Sequence, residues 1–390
     1  MSVLAGGRVV IPDRVLDPGW VEVDGDRLAA VGEGTPARAA DVDLRGRVVV
    51  PGFVDLHVHG GGGGSFTTGD EHEAARVVDF HRRHGTTTTM ASLVTAELAE
   101  LEGLVAALAD LVADGLLAGV HLEGPWLSAR QRGAHDPALL RAPAGPEVER
   151  LLQRGRGSVR MVTLAPELDG GLAAVSRIVE AGAVAALGHT HATYAVTREA
   201  LDTGATLGTH LFNAMRPVHH REPGPAVALL DDPRATVEVI ADGVHVHPAM
   251  LRRAVTTKGA ERVALVTDAM AAAGMADGDY QLGGLHVGVV DGVARLADGG
   301  ALAGSTLTMD AAFRGAVRGS GLPLEEVARL ASTTPAAVLG LPDVGAIEAG
   351  RRADLVVLDQ ALYVTAVMAA GAWVQDAGSR QDSTSEAARG

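Results

Sequence analysis

The sequence predicts a closed (β/α)8 barrel joined to a small β-sandwich built from both chain ends. Three observations predict it. Between residues 52 and 267, short β-branched or apolar runs alternate with helix-length amphipathic stretches. Several of those runs stop at an ionisable residue, as barrel strands do where they feed an active site. The first fifty residues and the last part of the chain instead carry closely spaced short strands separated by turns. A doubly wound sheet is the alternative, and counting strands does not separate the two.

The elements follow in order. Strands are expected over 6–11, 20–23, 28–31 and 48–50, with Asp24-Gly25-Asp26 as one of the turns. Barrel strands are expected over 52–57, 86–93, 117–123, 159–165, 184–188, 206–210, 236–241 and 263–267. DEHEAARVVDFHRRHG and ELAELEGLVAALADLVADG have helical spacing and fill two of the gaps. Residues 274–303 break the rhythm with hairpin-like strands and read as an insertion. GAIEAGRRADLVVLD and YVTAVMAAGAWV return to the character of the first segment. The expected domains are a sandwich from 1–51 and 345–378 and a barrel over 52–344. The polar stretch 379–390 is expected to be disordered.

Composition narrows the function. The chain has 390 residues, 47% of them hydrophobic, enough for a large core. A formal net charge of −15 argues against nucleic acid or an anionic membrane surface as a partner. With no cysteine, thiol nucleophiles, thiolate metal sites and disulfides are excluded. The opening MSVLAGGRVV lacks the pattern of a secretory leader, and no apolar run is long enough to cross a bilayer, so a cytoplasmic protein is expected.

The stretch PGFVDLHVHG ends a strand with two histidines. Successive side chains of a strand alternate between faces, so His57 and His59 share one. Two convergent neutral imidazoles suit a divalent ion. The bland alternative is a hydrogen-bonded pair at a strand end. Other strand ends weigh against that: Glu123 in HLEGP, His189 in LGHTH, His210 in GTHLFNAM and Asp268 in VTDAM. In a barrel these meet at one mouth, and they are the nitrogen and oxygen donors that zinc, iron, manganese or cobalt accept.

The chain resembles the amidohydrolase superfamily in PGFVDLHVHG, in the strand-end His, His and Asp, and in GAIEAGRRADLVVLD. Within it, HLEGPWLSARQRGAHDP, GHTHA, THLFNAMRPVHHREPG, ADGVHVHP, VTDAM and LAGSTLTMD resemble the N-acetylglucosamine-6-phosphate deacetylases. The resemblance implies deacetylation of N-acetylglucosamine 6-phosphate to glucosamine 6-phosphate and acetate, in amino-sugar catabolism and cell-wall recycling. It implies that Glu123, His189 and His210 hold a principal metal, and that His57 and His59 hold a second with Glu123 between the two. Asp268 would be a metal ligand and the general base, then acid. His135 would polarise the acetyl carbonyl. Asn213, the Ala214 backbone, Arg221 and His245 would bind the phosphate, with Arg221 reaching in from the other subunit of a homodimer. Many superfamily members bridge two metals with a carbamylated strand-four lysine. Strand four here, VRMVTLA, has none, and the only lysine, Lys258, falls in the helix expected before strand eight. Rival readings are an amidohydrolase for another N-acyl sugar, such as N-acetylgalactosamine 6-phosphate, and a non-catalytic scaffold of the same fold.

Other motifs take plainer readings. His121, His191, His219 and His220 are expected to be hydrogen-bonded or solvated, and His247 to lie in a loop. Gly60–Gly64 lacks the lysine or acidic partner of a phosphate loop and is expected to let backbone approach the mouth. Residues 124–136 could form a lid, with Trp126 either packing on the sugar or serving as an ordinary loop aromatic.

Overall fold

Eight parallel strands follow one another round the central sheet in sequence order: Phe53–Asp55, Thr86–Val94, Gly119–Glu123, Val159–Leu164, Val184–Leu187, Leu207–Gly208, Thr236–Ile240 and Val263–Val266. The computed structural model describes residues 1–298 and 300–375, so the expected tail at 379–390 lies outside the described residues. The seam between the eighth strand and the first is bridged just beyond their ends. There Asp268 N donates to His57 O at 2.8 Å and His59 N to Ala269 O at 2.8 Å. This order has no reversal point, so the doubly wound alternative falls and the sheet is a nearly closed barrel.

The barrel forms because its strands are largely apolar and buried on both faces. Val237, Val239 and Ile240 in the seventh and Val263 through Val266 in the eighth are fully buried. Outer helices offer one apolar stripe each. Helix Leu98–Ala113 buries Leu101, Val105, Leu108 and Ala109, the i, i+4, i+7, i+8 spacing of a single face. Helix Glu71–Arg83 begins where the Asp70 carboxylate accepts from Glu73 N, and it buries Ala74, Val77 and Val78.

The terminal strands form a single eight-stranded sheet. The expected sandwich therefore takes the form of one sheet whose central strands are buried on both faces. Val49, Leu355, Val357, Ala366 and Met368 pack into that domain's own core. Their neighbours Val48, Val50, Val356, Leu358 and Val367 pack on the barrel side.

Between residues 274 and 303, strands Gly278–Leu282, Leu285–Val290 and Val293–Leu296 form an antiparallel meander. Leu282, Val287, Val289, Ala294 and Leu296 pack there with Val94, Ala134 and Met270, so the insertion stands over the carboxyl ends of the barrel strands. The run Gly60–Gly64 makes a small hairpin with Gly62 and Gly63 at positive φ. A Cβ on Gly61 would lie 2.6 Å from His81 Nε2 and 2.7 Å from the Phe80 ring, and one on Gly60 would lie 2.9 Å from Ala271 N, so the run lets backbone approach both helix Glu71–Arg83 and the segment after the eighth strand.

Candidate active site

Each strand-end residue singled out in the sequence sits at the same mouth. Glu123 closes the third barrel strand; His189 and His210 follow the fifth and sixth by two residues; Asp268 follows the eighth. His189, His210 and Asp268 all have left-handed backbones, φ 48°, 29° and 50°. A non-glycine residue there costs on the order of 1–3 kcal/mol, a burden that persists where neighbours fix the residue in place. Asp268 is fixed by its N–H on His57 O and by Ser305 N donating to its carbonyl at 2.7 Å.

Their polar atoms converge. Glu123 Oε1 lies 3.1 Å from His189 Nε2 and 3.0 Å from His210 Nε2, and the two imidazole nitrogens are 3.1 Å apart. Glu123 Oε2 lies 3.2 Å from His59 Nε2 and 3.5 Å from His57 Nε2, and those nitrogens are 3.1 Å apart. Asp268 Oδ1 is 3.2 Å from His59 Nε2 and 3.5 Å from His57 Nε2. Two clusters able to hold an ion, His57/His59/Glu123 and Glu123/His189/His210, thus share one carboxylate.

The outward nitrogens decide whether an ion fits. His59 Nδ1 donates to the Ser92 carbonyl at 3.1 Å, His189 Nδ1 to the Gln131 carbonyl at 2.9 Å, and His57 Nδ1 to Glu238 Oε2 at 3.3 Å. Each carbonyl or carboxylate can only accept, so in the neutral ring the proton is on Nδ1 and the Nε2 lone pair faces inward. Lone pairs meeting head-on around a carboxylate need a positive charge between them. His121 serves as the contrast. Ser92 Oγ and Thr163 Oγ1 satisfy both its nitrogens at 2.9 and 2.8 Å, so it supports the site and is not a ligand. The donor set fits a divalent ion of borderline softness.

Electrostatics agree. Burial pushes the Glu123 carboxyl up, but the charge on His57 and hydrogen bonds with His135, His189 and His210 hold it well below the usual range. Burial likewise opposes the charge on Asp268, and His57 and His59 hold its pKa down. Burial pushes His59 down, yet hydrogen bonds with Asp268 and Glu123 raise it to about 9. Burial and the neighbouring His135 bring His189 to about 4. The two carboxylates are therefore ionised, and protons on His57 and His59 compete with an ion for the same place.

The remaining predicted residues divide. A cavity of about 440 Å³ above the cluster is lined by His135, Asn213, Ala214 and His245. His135 Nε2 is 3.5 Å from Glu123 Oε2. Its Nδ1 meets Thr95 Oγ1 at 2.9 Å and accepts from Thr95 N at 3.4 Å. A backbone N–H can only donate, so Nδ1 carries no proton and Nε2–H points the other way. His245 Nδ1 bonds Asp242 Oδ2 at 2.6 Å, leaving Nε2 for a ligand. Arg221 is exposed, pairs its Nη1 with His220 Nε2 at 2.9 Å, and does not line this cavity. His247 caps helix Pro248–Lys258. Trp126 is fully buried in the barrel core, so it does not reach a sugar.

Sequence reasoning missed Asp55, Glu238, Thr95, Arg130 and Arg132. Asp55 accepts from Thr267 Oγ1 at 2.6 Å and from His57 N at 3.3 Å, joining the eighth strand to the first. Burial lifts its carboxyl to about 7 against those bonds. It shares the face of His57 and His59, so strict alternation could have found it. Glu238 stands alone in TVEVI, a carboxylate inside a buried strand, and that contrast was its signal.

The amidohydrolase family profile matches residues 48–377, and the chain belongs to that family. N-acetyl-D-glucosamine-6-phosphate deacetylase from Mycobacterium smegmatis is 55% identical with a TM-score of 0.94, covering 96% of this chain and 100% of that one. An aspartate mutant of it, solved in complex with N-acetyl-D-glucosamine-6-phosphate, superposes with a TM-score of 0.95. The N-acetylgalactosamine-6-phosphate deacetylase of Escherichia coli O157:H7 is 36% identical over 378 residues, 96% of this chain and 98% of that protein. The N-acetylglucosamine-6-phosphate deacetylase of Bacillus subtilis (strain 168) is 33% identical over 366 residues, 90% of this chain and 91% of that protein. Within the amidohydrolases, the chain belongs with these sugar-phosphate deacetylases.

Proposed function

We propose that this protein hydrolyses the amide of N-acetylglucosamine 6-phosphate, giving glucosamine 6-phosphate and acetate. The observation that carries the reading is the convergence of Glu123, His189 and His210 beside Asp268 under a polar cavity. The relative that crystallised with that sugar phosphate supports the substrate.

Glu123, His189 and His210 would hold one divalent ion, and His57, His59 and the shared Glu123 a second; zinc leads, with iron, manganese and cobalt as alternatives. A bound ion would act as a Lewis acid, bringing the pKa of water toward about 7. Asp268 takes a proton from the attacking water and returns it to the departing amine, which leaves poorly as an anion. His135, held as Nε2–H by Thr95, donates to the acetyl oxygen as negative charge builds there. Water thus supplies a hydroxyl to the acetyl carbon and a proton to the sugar nitrogen, while the C–N bond breaks.

Asn213, the Ala214 backbone, His245 and Arg221 would serve the phosphate. Since Arg221 does not line its own cavity, this reading takes it to a neighbouring subunit in a homodimer. Val218, Val244 and Met250, exposed on and beyond the loops after the sixth and seventh strands, are apolar surface that such a contact would cover. A sugar phosphate as substrate favours a cytoplasmic setting, and among the described residues no helix is long and apolar enough to cross a membrane. The domain division we favour is a barrel over 52–344 and a strand domain from the two flanking segments.

The galactosamine epimer is the second reading, favoured by the Escherichia coli O157:H7 relative. Acetate release by purified protein with each sugar phosphate separates them. Turnover of the glucosamine compound is expected; brisk turnover of the epimer alone would replace the substrate named here.

A further inference from the structure

We infer that Arg130 and Arg132 form a second anion-binding rim, supplied by the chain that owns the cavity, which holds the phosphate of the entering substrate. This rests on the sugar-phosphate reading above and adds to it a site that Arg221 alone would not provide. Both arginines line the cavity. Both are exposed, and among the described residues neither guanidinium lies within 4.0 Å of a carboxylate. Other barrel arginines are committed elsewhere: Arg141, Arg150, Arg177 and Arg198 each pair with Glu or Asp.

The loop that presents them is tied to the metal-binding cluster. Ser128 N donates to the His189 carbonyl at 2.9 Å, and the Gln131 carbonyl accepts from His189 Nδ1 at 2.9 Å. The Gln131 side-chain amide bonds His191 Nδ1 at 3.1 Å. Gly133, at φ 56°, lies so close that a Cβ there would be 2.9 Å from His189 Cε1 and 3.8 Å from Ala214 Cβ. Arg130 and Arg132 flank Gln131 and are therefore held beside the cluster and beside Ala214, where the sugar's phosphate end is expected.

Two further facts call for positive charge at this place. The chain carries a net charge of −15, so a phosphate dianion meets repulsion on approach. The Asn213 amide nitrogen already donates to the His210 and Leu211 carbonyls at 3.2 and 3.3 Å, so a bond from it to phosphate comes at the cost of one of those and leaves room for a further, unpaired donor. A guanidinium fork matches a phosphate with two parallel N–H donors, and an unpaired one need not give up another partner to do so.

The test uses the full-length, metal-loaded enzyme with Arg130→Ala, Arg132→Ala, the double variant, and lysine replacements that keep charge. Acetate release is compared on N-acetylglucosamine with and without the 6-phosphate, from low to high salt. The ratio of kcat/KM for phosphorylated over unphosphorylated sugar should fall on the order of tenfold per arginine removed, mainly through KM. Lysine should restore part of it, and the salt dependence should flatten in the double variant. An unchanged ratio, or equal losses on both sugars, overturns the inference. Calorimetric titration with glucosamine 6-phosphate runs alongside. If wild-type protein releases no acetate from any sugar, the function proposed above fails. The arginines are then judged by whether that titration gives saturable binding that the double variant loses; binding that survives in the double variant, or no binding to wild type, refutes them.

Discussion

Replacing Asp268 with Asn removes one charge and one proton acceptor while leaving the backbone untouched. Asn tolerates the left-handed conformation, φ 50°, that Asp268 adopts. The hydrogen bonds that fix this position run through backbone atoms, to His57 O and from Ser305 N, and survive the change. The amide oxygen can occupy the place of Oδ1, 3.2 Å from His59 Nε2. Fold and metal content should therefore persist. What is lost is the group that accepts a proton from water and delivers it to the amine. General acid–base catalysis is worth roughly 10²–10⁴-fold, about 3–5 kcal/mol of barrier. Because the residue acts in the transition state, kcat and kcat/KM should fall together. The assay is initial-rate acetate release on N-acetylglucosamine 6-phosphate, with metal per subunit measured on the same sample. A variant with full metal and a rate within threefold of wild type removes Asp268 from the chemistry.

Three other perturbations test separate parts of the account. Thr95→Val removes the hydroxyl at His135 Nδ1 but keeps the backbone N–H. The retained backbone N–H still fixes the Nε2–H tautomer, so nitrogen NMR should show it unchanged while kcat falls a few-fold with little change in KM; an Nδ1–H signal, or a rate equal to wild type, would contradict it. Arg221→Ala should raise KM for the phosphorylated sugar alone, and an equal loss on unphosphorylated N-acetylglucosamine would contradict its phosphate role. Asp310 is held at about 2, against burial, chiefly by the hydrogen bond from His84, with Thr308 and Arg314 adding to it. A folded-state value below the unfolded one gives stability that is complete above about pH 4 and fades as pH falls toward 2. Asp310→Asn should cost about 1–2 kcal/mol at neutral pH and flatten acid unfolding between those limits. An acid-unfolding curve parallel to wild type would refute it.

The barrel was legible because its strands are short apolar runs, and a parallel sheet covered on both faces writes itself that way. The metal-binding cluster was legible because an ionisable residue that ends such a run contrasts with everything before it, as His189 does after Val184–Leu187. Other features leave no such contrast. Val48, Val49 and Val50 are all buried, so nothing in their pattern says which face meets the barrel and which the second core. Thr95 and Ser92 look like ordinary strand residues; their importance lies in which histidine nitrogen they meet, and that depends on strand register. Trp126 looks like a loop aromatic free to stack on a ligand, yet the chain folds it inward. Arg130 and Arg132 look like solvated charges until the pairing of their neighbours is known.

The central claim is that an ion sits between Glu123, His189 and His210. Diffraction from crystals of the purified enzyme, collected on either side of the absorption edge of the metal it carries, tests this most directly. The account predicts an anomalous peak about 2.0–2.2 Å from Glu123 Oε1, His189 Nε2 and His210 Nε2. Metal present in the crystal but held elsewhere, with no peak among those three atoms, would contradict it.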